Sequence, residues 1–373
     1  MKPTTGTATT LKFLCAAFAV LLLAPAARAA EPVFAFEGKP GDLNRGLPAN
    51  ETFYHPSDEF AYGEVWHFMA KLDQGYTIYC NLLITNMGLS QPSSAVEFSI
   101  LGSDGKSYTS KREYDKDSIA ASTTAYSVRV GASSMGGAYP HYQVHLDQDG
   151  MKVDLAFENI LPGWKLGNGV VYFGADRKKY WKYAITSPSA RVTGTLRFAG
   201  KQLAVTGFGF QDHSLMNIPA PSFSRRWFHF RSFNDKNTVL FSEIQTSEEY
   251  TPGKISMIMI GEGNRIVAQG NSLDLAFSRP LSDPEYGYAY PGAIAVKGSG
   301  PGLTITGEIT SKRLLERVVV LSHLNTMIRS IVHAFIAKPV YYRCLNDYRL
   351  TVNYGGADHQ LAGEAVNETV FIK

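Results

Sequence analysis

Gly207-Phe208-Gly209-Phe210-Gln211-Asp212-His213 sets an acid beside an imidazole at the end of an aromatic stripe. Read as a strand, its side chains alternate faces, so Phe208, Phe210 and Asp212 share one face. An acid among aromatic rings is costly unless it finds a partner or stays protonated. Kept protonated by apolar surroundings, Asp212 would donate a proton to an alkene, with His213 or a water completing the transfer. Trp66 and Trp227 would then turn their negative ring faces to the developing cation. The plainer alternative is an edge-strand Asp-His pair in a solvated turn.

Two further stretches mix aromatic rings with sparse ionisable groups. In Gly63-Glu64-Val65-Trp66-His67-Phe68, alternation gives Glu64, Trp66 and Phe68 one common face. Trp227-Phe228-His229-Phe230 follows a turn at Pro219 and Pro221. Apolar walls with a few orienting polar groups are the chemistry of a ligand cavity. Glu64 inside an apolar barrel either orients a polar ligand head or closes the barrel as a structural hydrogen bond. His141 and His145 share a strand face, but no third metal ligand is identified and no Cys or His cluster has metal-site spacing. No metal is expected. A Gly-rich phosphate loop, a nucleophile elbow and a nicotinamide fingerprint are all missing from the sequence, so no cofactor is expected either.

The elements that must position these residues read as short strands. Tyr76–Ile84, Ala95–Leu101, Tyr142–Leu146, Lys152–Phe157 and Ala190–Phe198 alternate β-branched, aromatic and polar residues. Breakers at Asp73-Gln74-Gly75, Ser103-Asp104-Gly105, Asp147–Gly150 and Ala199-Gly200 join them as hairpins. Arg226–Phe233, Thr238–Gln245, Lys254–Gly261, Arg265–Ala268 and Leu273–Ser278 repeat the style. The pattern predicts an all-β fold of two consecutive antiparallel barrels, residues 30–221 and 222–373, crossing near Ile218–Ser224. One segment departs from it. From Ser311 to Ala337, Leu321, Leu324, Ile328, Ile331 and Phe335 recur at helical spacing, with Arg313, Arg317, Arg329 and Lys338 giving a basic character. This predicts one amphipathic helix, packed on a barrel or resting on anionic lipid as a peripheral membrane contact.

Residues 1–29 read as a cleavable export signal. Lys2 and Lys12 precede the apolar run Phe13–Ala24, and Ala27-Arg28-Ala29 supplies small residues for cleavage. A periplasmic or secreted protein is expected. Of 36 basic residues, removing Lys2, Lys12 and Arg28 leaves 33 against 33 acidic, a formal net charge of zero. Nothing in that balance attracts a phosphate backbone, so nucleic acid is not expected as a partner. Cys80 and Cys344 remain, suited either to one disulfide or to two buried thiols.

Taken together, these stretches resemble a superfamily of paired lipocalin-like barrels that includes carotenoid hydratases, Diels–Alderase-like cyclases and the fungal survival-factor family. Glu64-Val65-Trp66-His67-Phe68 with Gly75 is similar to its first-strand signature, and Gly209-Phe210-Gln211-Asp212-His213 to the hydratase motif. Arg226–Phe230, Phe241-Ser242-Glu243-Ile244-Gln245 and Tyr250 resemble the opening of the survival-factor second barrel. Leu315–Val318, Lys338-Pro339-Val340-Tyr341-Tyr342 and Glu368–Ile372 resemble its C-terminal helix and last strands. That branch implies a ceramide-like lipid and an indirect role in oxidative-stress survival. The hydratase branch implies acid-catalysed chemistry on an isoprenoid alkene.

The expectation is therefore an exported lipid-binding or lipid-transfer protein for a long-chain lipid. Glu64, Trp66, Phe68, Phe208, Phe210, Gln211, Trp227, His229 and Glu243 form the expected ligand-binding set, and Asp212 with His213 the catalytic pair if a reaction occurs. An envelope structural protein with filled barrels is the third reading.

Overall fold

A computed structural model describes residues 30–39, 41–87, 92–319 and 339–372. The first half supplies β1 (Glu31–Ala35), β2 (Gly63–Leu72), β3 (Tyr76–Thr85), β4 (Ser93–Gly102), β5 (Ser107–Tyr114), β6 (Ile119–Ala121) and β7 (Tyr126–Val130). These are followed by β8 (Ser133–Ala138), β9 (His141–Gln148), β10 (Met151–Asn159), β11 (Val170–Phe173), β12 (Lys179–Phe198) and β13 (Lys201–Met216). A short helix α1 (Ala220–Phe223) leads to β14 (Ser224–Phe233), β15 (Asn237–Thr246), β16 (Tyr250–Thr251), β17 (Lys254–Glu262) and β18 (Arg265–Gly270). The last strands are β19 (Ser272–Asp283), β20 (Tyr288–Gly300), β21 (Leu303–Val319), β22 (Val340–Tyr354) and β23 (Ala357–Phe371). The predicted strands all form, with their Gly turns between them.

Two curled, lipocalin-like sheets result. The first runs β5-β4-β3-β2-β13-β12-β10-β9-β8-β7-β6 and is nearly closed. Side chains bridge the gap in its rim: the Tyr114 hydroxyl donates to Gln148 Oε1 at 2.8 Å, and Arg112 to Asp149 at 2.5 Å. The second runs β18-β17-β15-β14-β23-β22-β21-β20-β19. At its seam Gly270 and Gly300 pack backbone to backbone, an approach that leaves no room for a Cβ. Strand β1 pairs with β11 and, in parallel, with β16, lacing the N-terminal segment to the second half.

Period-two alternation on both sheets creates three cores. Phe68, Leu82, Val96, Phe98, Phe157 and Leu196 fill the first barrel. Phe228, Phe230, Phe241, Ile258 and Ile305 fill the second. Met69, Tyr79, Trp181, Phe210, Phe223 and Phe233 form the third, made by the outward faces of the two sheets. Both barrels are thus packed with side chains, and room for a ligand lies between them.

One prediction fails in part. Ser311–Val319 is the end of β21, not helix. Two register shifts, between Ser311 and Arg313 and between Leu314 and Glu316, break its strict alternation. The rest of the predicted helix lies outside the described residues. Cys80 and Cys344 are both buried free thiols.

A cavity between the sheets

Strands β2 and β13 are neighbours with Asp212 opposite His67, His213 opposite Trp66 and Leu215 opposite Glu64. Adjacent residues on each strand therefore face opposite ways. Glu64, Trp66 and His213 turn into the first barrel. There Glu64 is fully buried and accepts from His213 Nε2 at 2.8 Å, His55 Nδ1 at 3.0 Å and the Tyr62 hydroxyl at 2.5 Å. Burial alone would raise its pKa, but the hydrogen bonds from His213 and His55 outweigh burial and hold the carboxyl at about 2. Trp66 stacks on His213 with centroids 4.7 Å apart, and Nδ1 of His213 meets the Glu51 carbonyl at 2.7 Å. His55, Glu64 and His213 place their ligand atoms within 4.8 Å of one another and could hold a metal ion. Every one of those atoms also has a hydrogen-bond partner within the cluster.

On the other face, side chains stand in rows across the sheet. Ser214, Val65, Leu83 and Ala95 are in register from β13 to β4. One two-residue step along, Asp212, His67, Asn81 and Glu97 form a polar row. The second sheet answers with Trp227, Val370 and Tyr341 in one row, and His229, Glu368 and Arg343 in the next. Between these faces lies a cavity of about 360 Å³, lined by both apolar rows, by most of the polar ones and by Trp181 and Met216. It is amphipathic by construction.

The polar side is an ion network shared by the two sheets. His67 Nδ1 and the Tyr183 hydroxyl each lie 3.1 Å from Asp212 Oδ2, and Arg231 reaches it at 3.7 Å. Arg343 joins Glu316 at 2.6 Å and Glu368 at 2.7 Å, while Ser99 of β4 donates to Glu316 at 2.5 Å. Burial would raise the Asp212 pKa, yet the neighbouring His67 and Arg231 lower it, so the carboxylate is ionised. Glu368 is likewise held at about 2 by Arg343 and Arg231 against its burial. His229 moves the other way for a base: burial and the Arg231 charge push it down to about 4, leaving a neutral ring at neutral pH.

With strand order, cavity and motifs in view, comparison with known proteins places the chain. The Svf1 family model matches residues 53–373. The chain belongs to the Svf1 family. It is 25% identical over 242 residues to ceramide-binding protein SVF1 of Eremothecium gossypii, covering 59% of this chain and 60% of that one. Ceramide-binding protein svf1 of Schizosaccharomyces pombe is 24% identical over 234 residues, with 59% and 61% covered. The chain thus spans about 60% of the length of the curated relatives it matches. Among solved structures, kievitone hydratase from Nectria haematococca superposes with a TM-score of 0.59 at 13% identity, covering 91% and 98%. That likeness is one of fold.

In this Svf1-family chain the nominated residues scatter over five places. Asp212, Trp227 and His229 line the inter-sheet cavity. Glu64, Trp66, Phe68, Gln211 and His213 lie on the barrel-side face of β2 and β13, so Trp66 cannot confront a cation held by Asp212. Phe208 lines an adjoining cavity of about 340 Å³ and Phe210 packs in the inter-sheet core. Glu243, on the same face of β15 as Val239 and Phe241 of the second barrel's core, pairs with Arg226 at 3.1 Å. Asp212 is neither protonated nor at an edge, since β13 runs between β2 and β12. Arg317, expected on a basic helix surface, is a strand residue paired with Asp283 and Glu285. His145 pairs with Asp154 across β9 and β10, and His141 lies opposite Glu158. Sequence reasoning missed His67, Tyr183, Arg231, Arg343 and Trp181. A charge inside an aromatic strand, as in Tyr341-Tyr342-Arg343-Cys344-Leu345, was the available signal.

Proposed function

We propose that this protein is an exported carrier of a long-chain, ceramide-like lipid, held between the two sheets. The observation that carries this reading is the division of one cavity into registered apolar and polar rows. An alkyl chain along Val65, Leu83, Ala95, Trp227 and Val370 would gain roughly 0.8 kcal/mol per buried methylene. Its polar end would meet Asp212, His67 and their partners, which are already ordered and need no rearrangement. The cavity volume falls within the roughly 300–1,000 Å³ of small-molecule sites. Relatives named for ceramide binding support the same class of ligand. Export rests on the Lys2–Ala29 segment and its cleavage pattern.

Proton donation by Asp212 would need a neutral carboxyl, and the network favours the carboxylate. Binding without turnover is therefore the reading we adopt. The test is lipid extraction and mass spectrometry of the purified protein, alongside a variant with Val370→Trp filling the apolar row. We expect about one long-chain lipid per chain in the parent and a largely empty variant. A parent that is empty and takes up no added lipid would remove the reading.

A further inference from the structure

The four tryptophans divide three to one. Trp66 Nε1 donates to the Thr52 carbonyl at 3.0 Å, Trp164 to Gln269 Oε1 at 2.9 Å and Trp227 to Ser224 Oγ at 2.6 Å. Trp181 is only 1% exposed, and its indole N–H has no acceptor among the described residues. Buried tryptophans ordinarily find an acceptor, because a buried donor without one loses its hydration uncompensated. Trp181 also lines the inter-sheet cavity, its ring 5.5 Å from Trp227 and 5.3 Å from Tyr183. It is an orphan donor on a residue that lines an amphipathic site.

A matching acceptor lies close by. Tyr183, two residues along the same strand face, donates to Asp212 Oδ2, as does His67. Among the described residues these hydrogen bonds fall on Oδ2, so Oδ1 keeps lone pairs for a further donor. We infer that the cavity selects lipids whose polar end carries both a carbonyl acceptor, taken by the Trp181 indole N–H, and a hydroxyl or amide donor, taken by Asp212. Trp181 is then the residue that separates an N-acylated amino alcohol from the same amino alcohol without its acyl carbonyl. Asp212 accepts from either lipid, from a neutral hydroxyl or amide of the first and from the ammonium or a hydroxyl of the second; only the first satisfies Trp181. This inference rests on the lipid-binding reading.

The experiment titrates the full chain with a long-chain ceramide and with the parent sphingoid base, before and after Trp181→Phe. We expect the substitution to weaken ceramide binding about tenfold and to leave the base within about twofold. An equal loss for both lipids would reduce Trp181 to packing, and no loss for either would remove it; both overturn the inference. A second readout needs only the parent protein saturated with each lipid. In ¹⁵N spectra of the indole N–H groups, the Trp181 signal, assigned by its disappearance in the variant, should move downfield with ceramide and not with the base. A Trp181 signal unmoved at ceramide saturation overturns the inference even where binding persists. Parent protein that binds neither lipid would sink the carrier reading itself, and this inference with it.

Discussion

His213–Glu64 and His67–Asp212 are two imidazole–carboxylate pairs on opposite faces of one strand pair, and they do different work. The first is enclosed by a filled barrel and satisfied by neighbours from the segment Glu51–Glu64 and by β13 alone. The second draws partners from both sheets and borders open space. Local satisfaction inside a packed core marks a structural pair. Satisfaction across an interface, beside a cavity, marks a site able to trade contacts with a ligand. A third pair, His145–Asp154, sits on the outside with both side chains about half exposed.

This contrast orders the expected effects. Glu64→Ala should cost the most, about 3–5 kcal/mol in urea unfolding, since it strands His213 and Tyr62 in the core. Lipid affinity of the molecules that remain folded should be unchanged. A Glu64→Ala variant that is stable but empty would reverse the assignment of the two faces.

Next comes the pH dependence set by His229. Its folded pKa of about 4 lies below the unfolded value of about 6.5, so the folded state favours the neutral ring. Between those values the unfolded chain binds the extra proton, and stability rises with pH. Stability present above pH 6.5 should thus fall by about 3 kcal/mol on acidification to pH 4. His229→Phe should flatten that slope in a series of denaturant midpoints. An unaltered slope would show that another group carries it.

Asp212→Asn should be milder for folding, about 2 kcal/mol, because the amide keeps an acceptor for Tyr183. Its lipid affinity should nevertheless drop more than about tenfold, the opposite balance to Glu64→Ala. His145→Ala should change stability by less than about 0.5 kcal/mol, the ordinary result for a surface pair. A large effect there would mean that geometry, and not burial, governs all three pairs.

Much of the architecture was legible because strands and Gly turns are local signals. Alternation correctly put Phe208, Phe210 and Asp212 on one face, and Glu64, Trp66 and Phe68 on another. It could not say whether those faces meet, because that depends on the register of β2 against β13, strands separated by more than a hundred residues. The sequence therefore suggested one cavity where the molecule has a filled barrel and an inter-sheet space. His67 stands within Glu64–Phe68, yet it gains meaning only from its place opposite Asp212. In Ser311–Val319 two register shifts left no strict alternation from which to read a strand.

Lipid binding between the sheets is tested most directly by photolabelling with a long-chain lipid bearing a reactive group in its tail, followed by peptide mapping of the adducts. Adducts are expected on the inter-sheet rows, at Val65, Leu83, Trp227 or Val370. Adducts confined to barrel-filling residues such as Leu82, Val96, Phe230 or Ile258 would contradict it.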